Sequence, residues 1–296
     1  MPNPEYFPIP NWTPLFEAPK HLFVGARSVY LLCRASKATT ELLPFPLEPV
    51  LGQEDLYRFT FTKVDKIYTP TIVARDILML EIGFPTAYRG EVAAHNSLEY
   101  IDSDFGMSVG REDYGWPKKM ARLSWSELED GRIHAEAQRD GHTLLMLDFE
   151  QTDREFRYPE WFDGDYLQVR SLDRANEGAA KRMEVIRSNI PGWFRHSTFA
   201  GTASLRLFDG PTDPLSFLDP IEVLAARIDT YDFEFDWGVV VDTVDVPDPD
   251  QYLAAQARLA HRLRTEAGFP PVAYDLTAHD GLSSTSSRRL DERGKA

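Results

Sequence analysis

The feature that most constrains this chain is a succession of short strand-like segments separated by tight turns. Leu56-Tyr57-Arg58-Phe59-Thr60-Phe61-Thr62 alternates and is rich in aromatic and β-branched residues, the pattern of a half-buried strand. Ile77 to Ile82 reads as another strand, ending at Gly83-Phe84-Pro85, and Val92 to Tyr100 as a third, closed by a turn at Asp102-Ser103-Asp104. Ala121 to Ser126 and Arg132 to Gln138 flank Asp130-Gly131, a strong hairpin signal because this dipeptide accepts the backbone a tight turn requires. Thr143 to Phe149 follows a second turn, Arg139-Asp140-Gly141-His142. Strands joined by such short turns pair antiparallel. The pattern predicts an α+β, predominantly antiparallel β fold, a sheet curled into a barrel or sandwich with a few short helices.

The flanking chain extends this reading. Residues 1–20 carry six prolines among aromatics such as Phe7 and Trp12 and form an extended arm expected to pack against the body or a neighbouring subunit. Val29 to Cys33 is a buried strand, Ala38 to Leu43 one or two helical turns, and Met107 to Glu112 a short helix or a loop. Tyr166 to Leu172, Met183 to Ser188 and Thr202 to Phe208 are strands, and Ala175 to Ala180 is a loop or short helix. Ile221 to Ala226 reads as helical turn or strand. Pro249 to Ala267 has apolar residues at helical spacing and stops at Gly268-Phe269-Pro270-Pro271. The organisation is then an arm at 1–20, a β domain at 21–245, a C-terminal helix and extension at 246–278, and a disordered tail at 279–296.

Composition narrows the function classes. The 296 residues are 43% hydrophobic and 27% charged, with a formal net charge of -15, which disfavours nucleic acid and anionic membranes as partners. No apolar run approaches the ~20 residues of a bilayer span. The single cysteine, Cys33, permits no disulfide within the chain and reads as a buried structural thiol, consistent with a cytoplasmic location. Scattered histidines, no Gly-rich phosphate cradle and no Gly-x-Ser-x-Gly elbow leave no cofactor and no metal site to assign.

Chemistry concentrates at Gly110-Arg111-Glu112-Asp113-Tyr114-Gly115-Trp116-Pro117-Lys118-Lys119. A Gly-aromatic-Pro corner presents two adjacent lysines from a rigid turn. An adjacent cation and an apolar pocket each disfavour protonation of an amine, so the pair is a candidate nucleophile toward a ketone. Most Lys-Lys pairs are simply solvated. Arg111 and Glu112 read as a structural ion pair or as groups that orient the lysines. Glu81 sits between Leu80 and Ile82, at a strand end facing solvent or in a pocket. Arg27, in a loop ahead of the Val29 strand, has a surface position as its default.

The Gly110-Arg111-Glu112 and Gly115-Trp116-Pro117-Lys118-Lys119 segments resemble the signature of the acetoacetate decarboxylase superfamily. Pro44-Phe45-Pro46-Leu47-Glu48, Arg139-Asp140-Gly141, Gly201 to Leu207 and Asp213-Pro214-Leu215 are similar to other family segments, so the resemblance covers roughly residues 22–245. It implies a curved antiparallel barrel or cone, a homo-oligomer, and Lys118 as the Schiff-base residue with Lys119 as its tuning neighbour. Acetoacetate decarboxylase is itself the standard example of a lysine activated in this way, so that mechanism comes from the resemblance. Arg27 matches the family's substrate-carboxylate arginine and Glu81 a pocket glutamate, while Trp116 and Tyr114 of the corner are expected at the substrate. A second family glutamate falls on Thr60. The reaction implied is decarboxylation of a β-keto acid through a covalent imine. The alternatives are an aldolase or dehydratase on a pyruvate-like keto acid, which Thr60 favours, and a non-catalytic small-ligand-binding barrel.

Overall fold

The computed structural model describes residues 20–153, 156–171, 181–188, 190, 192–219 and 221–269. The proline-rich arm before Lys20, the segment 175–180 and the tail from residue 279 lie outside the described residues. The elements are β1 (His21–Arg34), β2 (Glu48–Pro49), β3 (Leu56–Tyr68), β4 (Val73–Tyr88), β5 (Glu91–Ile101), α1 (Asp104–Tyr114), β6 (Lys118–Met120), β7 (Arg122–Glu127), β8 (Ile133–Arg139) and β9 (His142–Gln151). They continue with β10 (Leu167–Ser171), β11 (Arg182–Arg187), β12 (Gly192–Leu207), β13 (Asp209–Gly210), β14 (Asp213–Pro214), β15 (Glu222–Phe235), β16 (Val239–Asp245) and α2 (Pro249–Glu266).

The main sheet has 11 strands in the order β6-β5-β4-β3-β1-β15-β12-β9-β8-β7, with β2 on β4. Its neighbours are antiparallel except β5 and β6, which run parallel. The order begins with β6 and ends with β7, and these are consecutive in the chain. The sheet therefore curls until its two edges meet at Ala121, whose N–H donates to the Ile101 carbonyl at 3.1 Å. Two-residue turns at Arg89-Gly90 and Asp140-Gly141, with positive φ at both residues, join β4 to β5 and β8 to β9 with the twist such a sheet needs. The expected strand end at Gly83-Phe84-Pro85 is not observed: β4 runs on to Tyr88. Pro85 is tolerated because it falls between the last β3 pair, Arg58 with Gly83, and the first β2 pair, Pro49 with Thr86, where no ladder bond is lost.

Both faces of the curl are apolar. Val29, Leu31, Phe61 and Leu80 share one core with Leu123, Leu145, Leu147 and Leu205. These residues come from strands far apart in the sheet order, so they meet inside the curl. The outer face of β1 and β3–β5 carries a second core, in which Tyr30, Leu32 and Ile101 pack with Phe105 and Val109 of α1 and with Trp161 and Phe162. A three-stranded sheet, β10-β11-β16, contributes Leu167 and Val185 to a smaller cluster with Leu47 and Ala93. Cys33 is fully buried in the inner core, and burial pushes its thiol pKa up, so it is inert as a nucleophile.

Candidate active site

A β-α-β crossover builds the site. β5 leads through Ser103, whose hydroxyl accepts from the Gly106 N–H at 3.3 Å, into α1. The helix ends at Gly115, with φ 71°. A side chain there would need that left-handed backbone and would also meet the Val169 carbonyl at 3.2 Å, so glycine is required twice over. Trp116 and Pro117 then turn the chain into β6, and Arg111 of the last helical turn donates to the Lys118 carbonyl at 3.1 Å. Arg111 thus orients the backbone of the lysine.

Strand alternation separates the two lysines. Lys118 turns to the outer face under α1 and is 4% exposed. Its Nζ lies 4.6 Å from the centroid of the Trp116 ring. Lys119 turns to the other face, where its Nζ donates to Asp213 at 2.7 Å and to the Thr212 carbonyl at 3.1 Å. The Lys119 charge is bound into that network and does not face the Lys118 amine. Asp213 also accepts from Tyr100 at 2.6 Å and from Thr212 at 2.7 Å, and these partners hold its carboxyl below the usual range against the effect of burial. Asp213→Ala strands the Tyr100 hydroxyl and Lys119 together. It is expected to cost about 2–4 kcal/mol of stability in thermal or urea unfolding.

Lys118 closes a row across the sheet. Its register partner is Glu99, which pairs with Glu81, which pairs with Thr60, which pairs with Tyr30. Paired residues share a face, so five strands deliver these side chains to one line. Lys118 Nζ is 3.5 Å from Glu99 Oε2, and Asn96 Nδ2 donates to Glu99 Oε1 at 2.8 Å. Glu99 is 1% exposed. Burial is the largest cause raising its pKa, Glu81 adds to it, and Lys118 and Asn96 act against it; the result is about 7.

A cavity sits over this row. Tyr30, Thr60, Glu81 and Lys118 line it beside Tyr114, Trp116, Tyr166 and Tyr231. Ser28 links Thr62 and Tyr231 through hydroxyl contacts of 2.6 Å each, and Tyr30 meets Tyr231 at 3.0 Å. Burial raises the pKa of Tyr30, Tyr166 and Tyr231, so all three stay neutral hydroxyls. Thr60 Oγ1 and Trp116 Nε1 are buried without a hydrogen-bond partner.

Of the sequence-predicted residues, the structure brings Lys118, Glu81, Trp116 and Tyr114 together and leaves Lys119 and Arg27 apart. Arg27 lies 34% exposed and pairs with Glu127 of β7, so its neighbours are on the sheet's far edge. It does not line the cavity. Glu99 is the residue the sequence reading missed. It carries the same signal as Glu81, a carboxylate between apolar neighbours in a strand, here Leu98 and Tyr100. Among the described residues no cluster of three or more His, Cys, Asp or Glu is placed to hold a metal, and no helix is long and apolar enough to cross a membrane.

Two results are expected from this geometry. A Cβ on Gly110 would lie 2.5 Å from Lys118 Cδ and 2.6 Å from Cε. Gly110→Ala therefore displaces the amine, while alanine favours the helix by about 1 kcal/mol. Catalytic efficiency should fall by roughly 10- to 100-fold, the cost of about an ångström of misplacement, with an unfolding midpoint close to that of the parent. The second concerns Glu99, whose carboxyl titrates near 4.5 when unperturbed and near 7 here. Between those values the fold keeps a proton that the unfolded chain has released, so stability falls as pH rises from 4.5 to 7. The expected loss is on the order of 2–3 kcal/mol, read by urea unfolding at both ends of the window, and Glu99→Gln should flatten that slope.

Comparison with known proteins agrees with this architecture. The family model for acetoacetate decarboxylase matches residues 9–244. Acetoacetate decarboxylase of Chromobacterium violaceum is 23% identical over 239 residues, covering 79% of this chain and 94% of that protein. The crystal structure of acetoacetate decarboxylase from Legionella pneumophila superposes with a TM-score of 0.69 at 17% identity, covering 82% of this chain and 95% of that one. The enduracididine biosynthesis enzyme MppR, complexed with the condensation product of pyruvate and imidazole 4-carboxaldehyde, gives a TM-score of 0.65 at 15% identity, covering 77% and 91%. The structural likenesses carry the fold, and the family match spans most of the sequence: this chain belongs to the acetoacetate decarboxylase family.

Proposed function

We propose that this protein is a Schiff-base lyase in which Lys118 condenses with the carbonyl group of a small substrate. The observation that carries the reading is the burial of one amine in an aromatic cavity, 3.5 Å from a carboxylate whose own pKa is raised to about 7. A group poised near neutrality gives and takes protons with little cost. The amine attacks the carbonyl carbon. The carbonyl oxygen then leaves as water, taking one proton from the amine and one from a carboxylic acid, and Glu99 stands within reach to supply it. The protonated imine draws electrons from the neighbouring carbon, so a bond to that carbon breaks or a proton leaves it, and an enamine forms. Glu81, opposite Glu99 in register, is the second proton carrier.

Two reactions share this intermediate. Decarboxylation of a β-keto acid is the one the family's name suggests. Aldol addition or dehydration on a pyruvate-like keto acid is favoured by the carboxylates here: Glu81 in the cavity wall and Glu99 beside Lys118 provide an acid and a base. A purely ligand-binding barrel is disfavoured because a buried Lys–Glu pair is costly and adds nothing to apolar binding. Incubation with carbonyl compounds and borohydride, followed by peptide mapping, tests the imine. Carbon dioxide release set against carbonyl condensation separates the two reactions. If no carbonyl compound labels the peptide holding Lys118, the Schiff-base reading is wrong.

A further inference from the structure

We propose that the end of the cavity remote from Lys118 is a subsite for a second oxygen function of the keto-acid substrate, a hydroxyl or a further carboxylate, and that Thr60 is the residue that selects for it. This rests on the Schiff-base reading of Lys118 and adds the shape of its substrate. Thr60 lines the cavity, is 2% exposed, and its Oγ1 has no hydrogen-bond partner. A buried hydroxyl without a partner is costly, and a ligand oxygen satisfies it. The surroundings are of the same kind. Thr62, Tyr30 and Tyr231 line the cavity beside it. They are joined through the Ser28 hydroxyl and by the contact between Tyr30 and Tyr231, so this end presents neutral hydroxyls, which both donate and accept.

The register sets the length. Lys118, Glu99, Glu81 and Thr60 stand on successive strands of the sheet. Neighbouring strands lie about 4.8 Å apart, so the Thr60 backbone is roughly 14 Å from that of Lys118. The lysine side chain spans part of this gap as it leans to Glu99. At roughly 1.5 Å per bond, pyruvate falls short of the rest, whereas a chain of about five or six carbons bridges it. Trp116 Nε1, another unpartnered donor of the wall, lies on the lysine's side and suits the carboxylate next to the ketone. Charge does not close the far end to a second carboxylate. Arg58, two residues before Thr60 on the same face, is buried, and its guanidinium carbon lies 4.6 Å from the centroid of the Tyr166 ring in the cavity wall. Its Nε has no partner and its charge and that of Glu81 attract each other, so an anion at this end meets a compensating cation.

The test is borohydride trapping with the full chain at pH 7 and mapping of the labelled peptide, using keto acids that differ only at the far end. These are 2-oxopentanoate and 2-oxohexanoate, their terminal hydroxy derivatives, and 2-oxoglutarate and 2-oxoadipate. An acid with a far-end oxygen should label Lys118 at least about tenfold faster than the methyl-ended acid of the same length, and whether hydroxyl or carboxylate leads names the substituent. Thr60→Val should slow the oxygenated acids about three- to thirtyfold more than the methyl-ended ones. It should not lower the unfolding midpoint, because the hydroxyl it removes has no partner, and Thr60→Ser should restore the preference. Labelling by the methyl-ended acids as fast as or faster than by the others overturns the subsite and leaves the imine standing. A preference that Thr60→Val leaves intact, or equal slowing of every acid, overturns the role of Thr60. Absence of Lys118 labelling by all the acids overturns both the subsite and the imine.

Discussion

Lys118→Met is expected to abolish borohydride-stable labelling and to lower turnover by about 10,000-fold or more, the scale seen when a covalent nucleophile is removed. Lys119→Met is expected to leave labelling intact. The contrast is a strong one because the two residues are adjacent in sequence and differ only in the face they take. Lys118 enters the cavity under Gly110, while Lys119 is bound to Asp213. The Lys118 variant should remain folded. Its side chain is replaced by one of similar length, and the partner it abandons, Glu99, can take a proton. Lys118 is the leading influence holding the Glu99 pKa down, so without it Glu99 becomes a neutral acid still hydrogen-bonded to Asn96 and leaves no unpaired buried charge. Lys119→Met removes one donor from Asp213, which keeps Tyr100, Thr212 and Arg139 near its oxygens. That variant should lose about 1–2 kcal/mol of stability and keep its chemistry. Equal labelling of the parent and the Lys118 variant would remove the nucleophile from the mechanism.

Much of the fold was legible in the sequence because turn chemistry and alternation are local signals. Asp140-Gly141 forms the tight turn expected of it, with positive φ at both residues, and Leu56 to Thr62 lies within β3. What local signals do not contain is which face of a curled sheet becomes the site. Lys118 and Lys119 look alike in a linear reading, and only the register of β6 against β5 assigns one to the cavity. Arg27 illustrates the same limit. Its place on β1, midway in the sheet order, pairs it with Glu127 of the edge strand β7, which a linear reading does not contain. Glu99 was hidden inside a strand read as a unit. Thr60 and Glu99 stand two strands apart in one cross-strand row, a relation visible only once the row exists.

Glu99→Gln is expected to reduce turnover by about 100- to 10,000-fold, the range for loss of a general acid or base, while a residual slow labelling of Lys118 persists. Glutamine keeps an oxygen to accept from Asn96 and nearly the same volume, so the cavity wall is preserved. It cannot exchange a proton, and the departing carbonyl oxygen then lacks its nearest donor. The pH profile separates this role from a structural one. In the parent, an ionisation near 7 should appear in the rate because Glu99 titrates there; in the variant that limb should vanish, whatever the residual rate. Glu81→Gln provides the counterpart. Removing the neighbouring negative charge takes away one of the influences that raise the Glu99 pKa, so the limb should persist and move toward lower pH. An unchanged limb in Glu99→Gln would assign the proton carrier to another group. A limb that shifts in Glu81→Gln and disappears in Glu99→Gln identifies Glu99 as the acid beside the imine and the cross-strand row as the element that sets its strength.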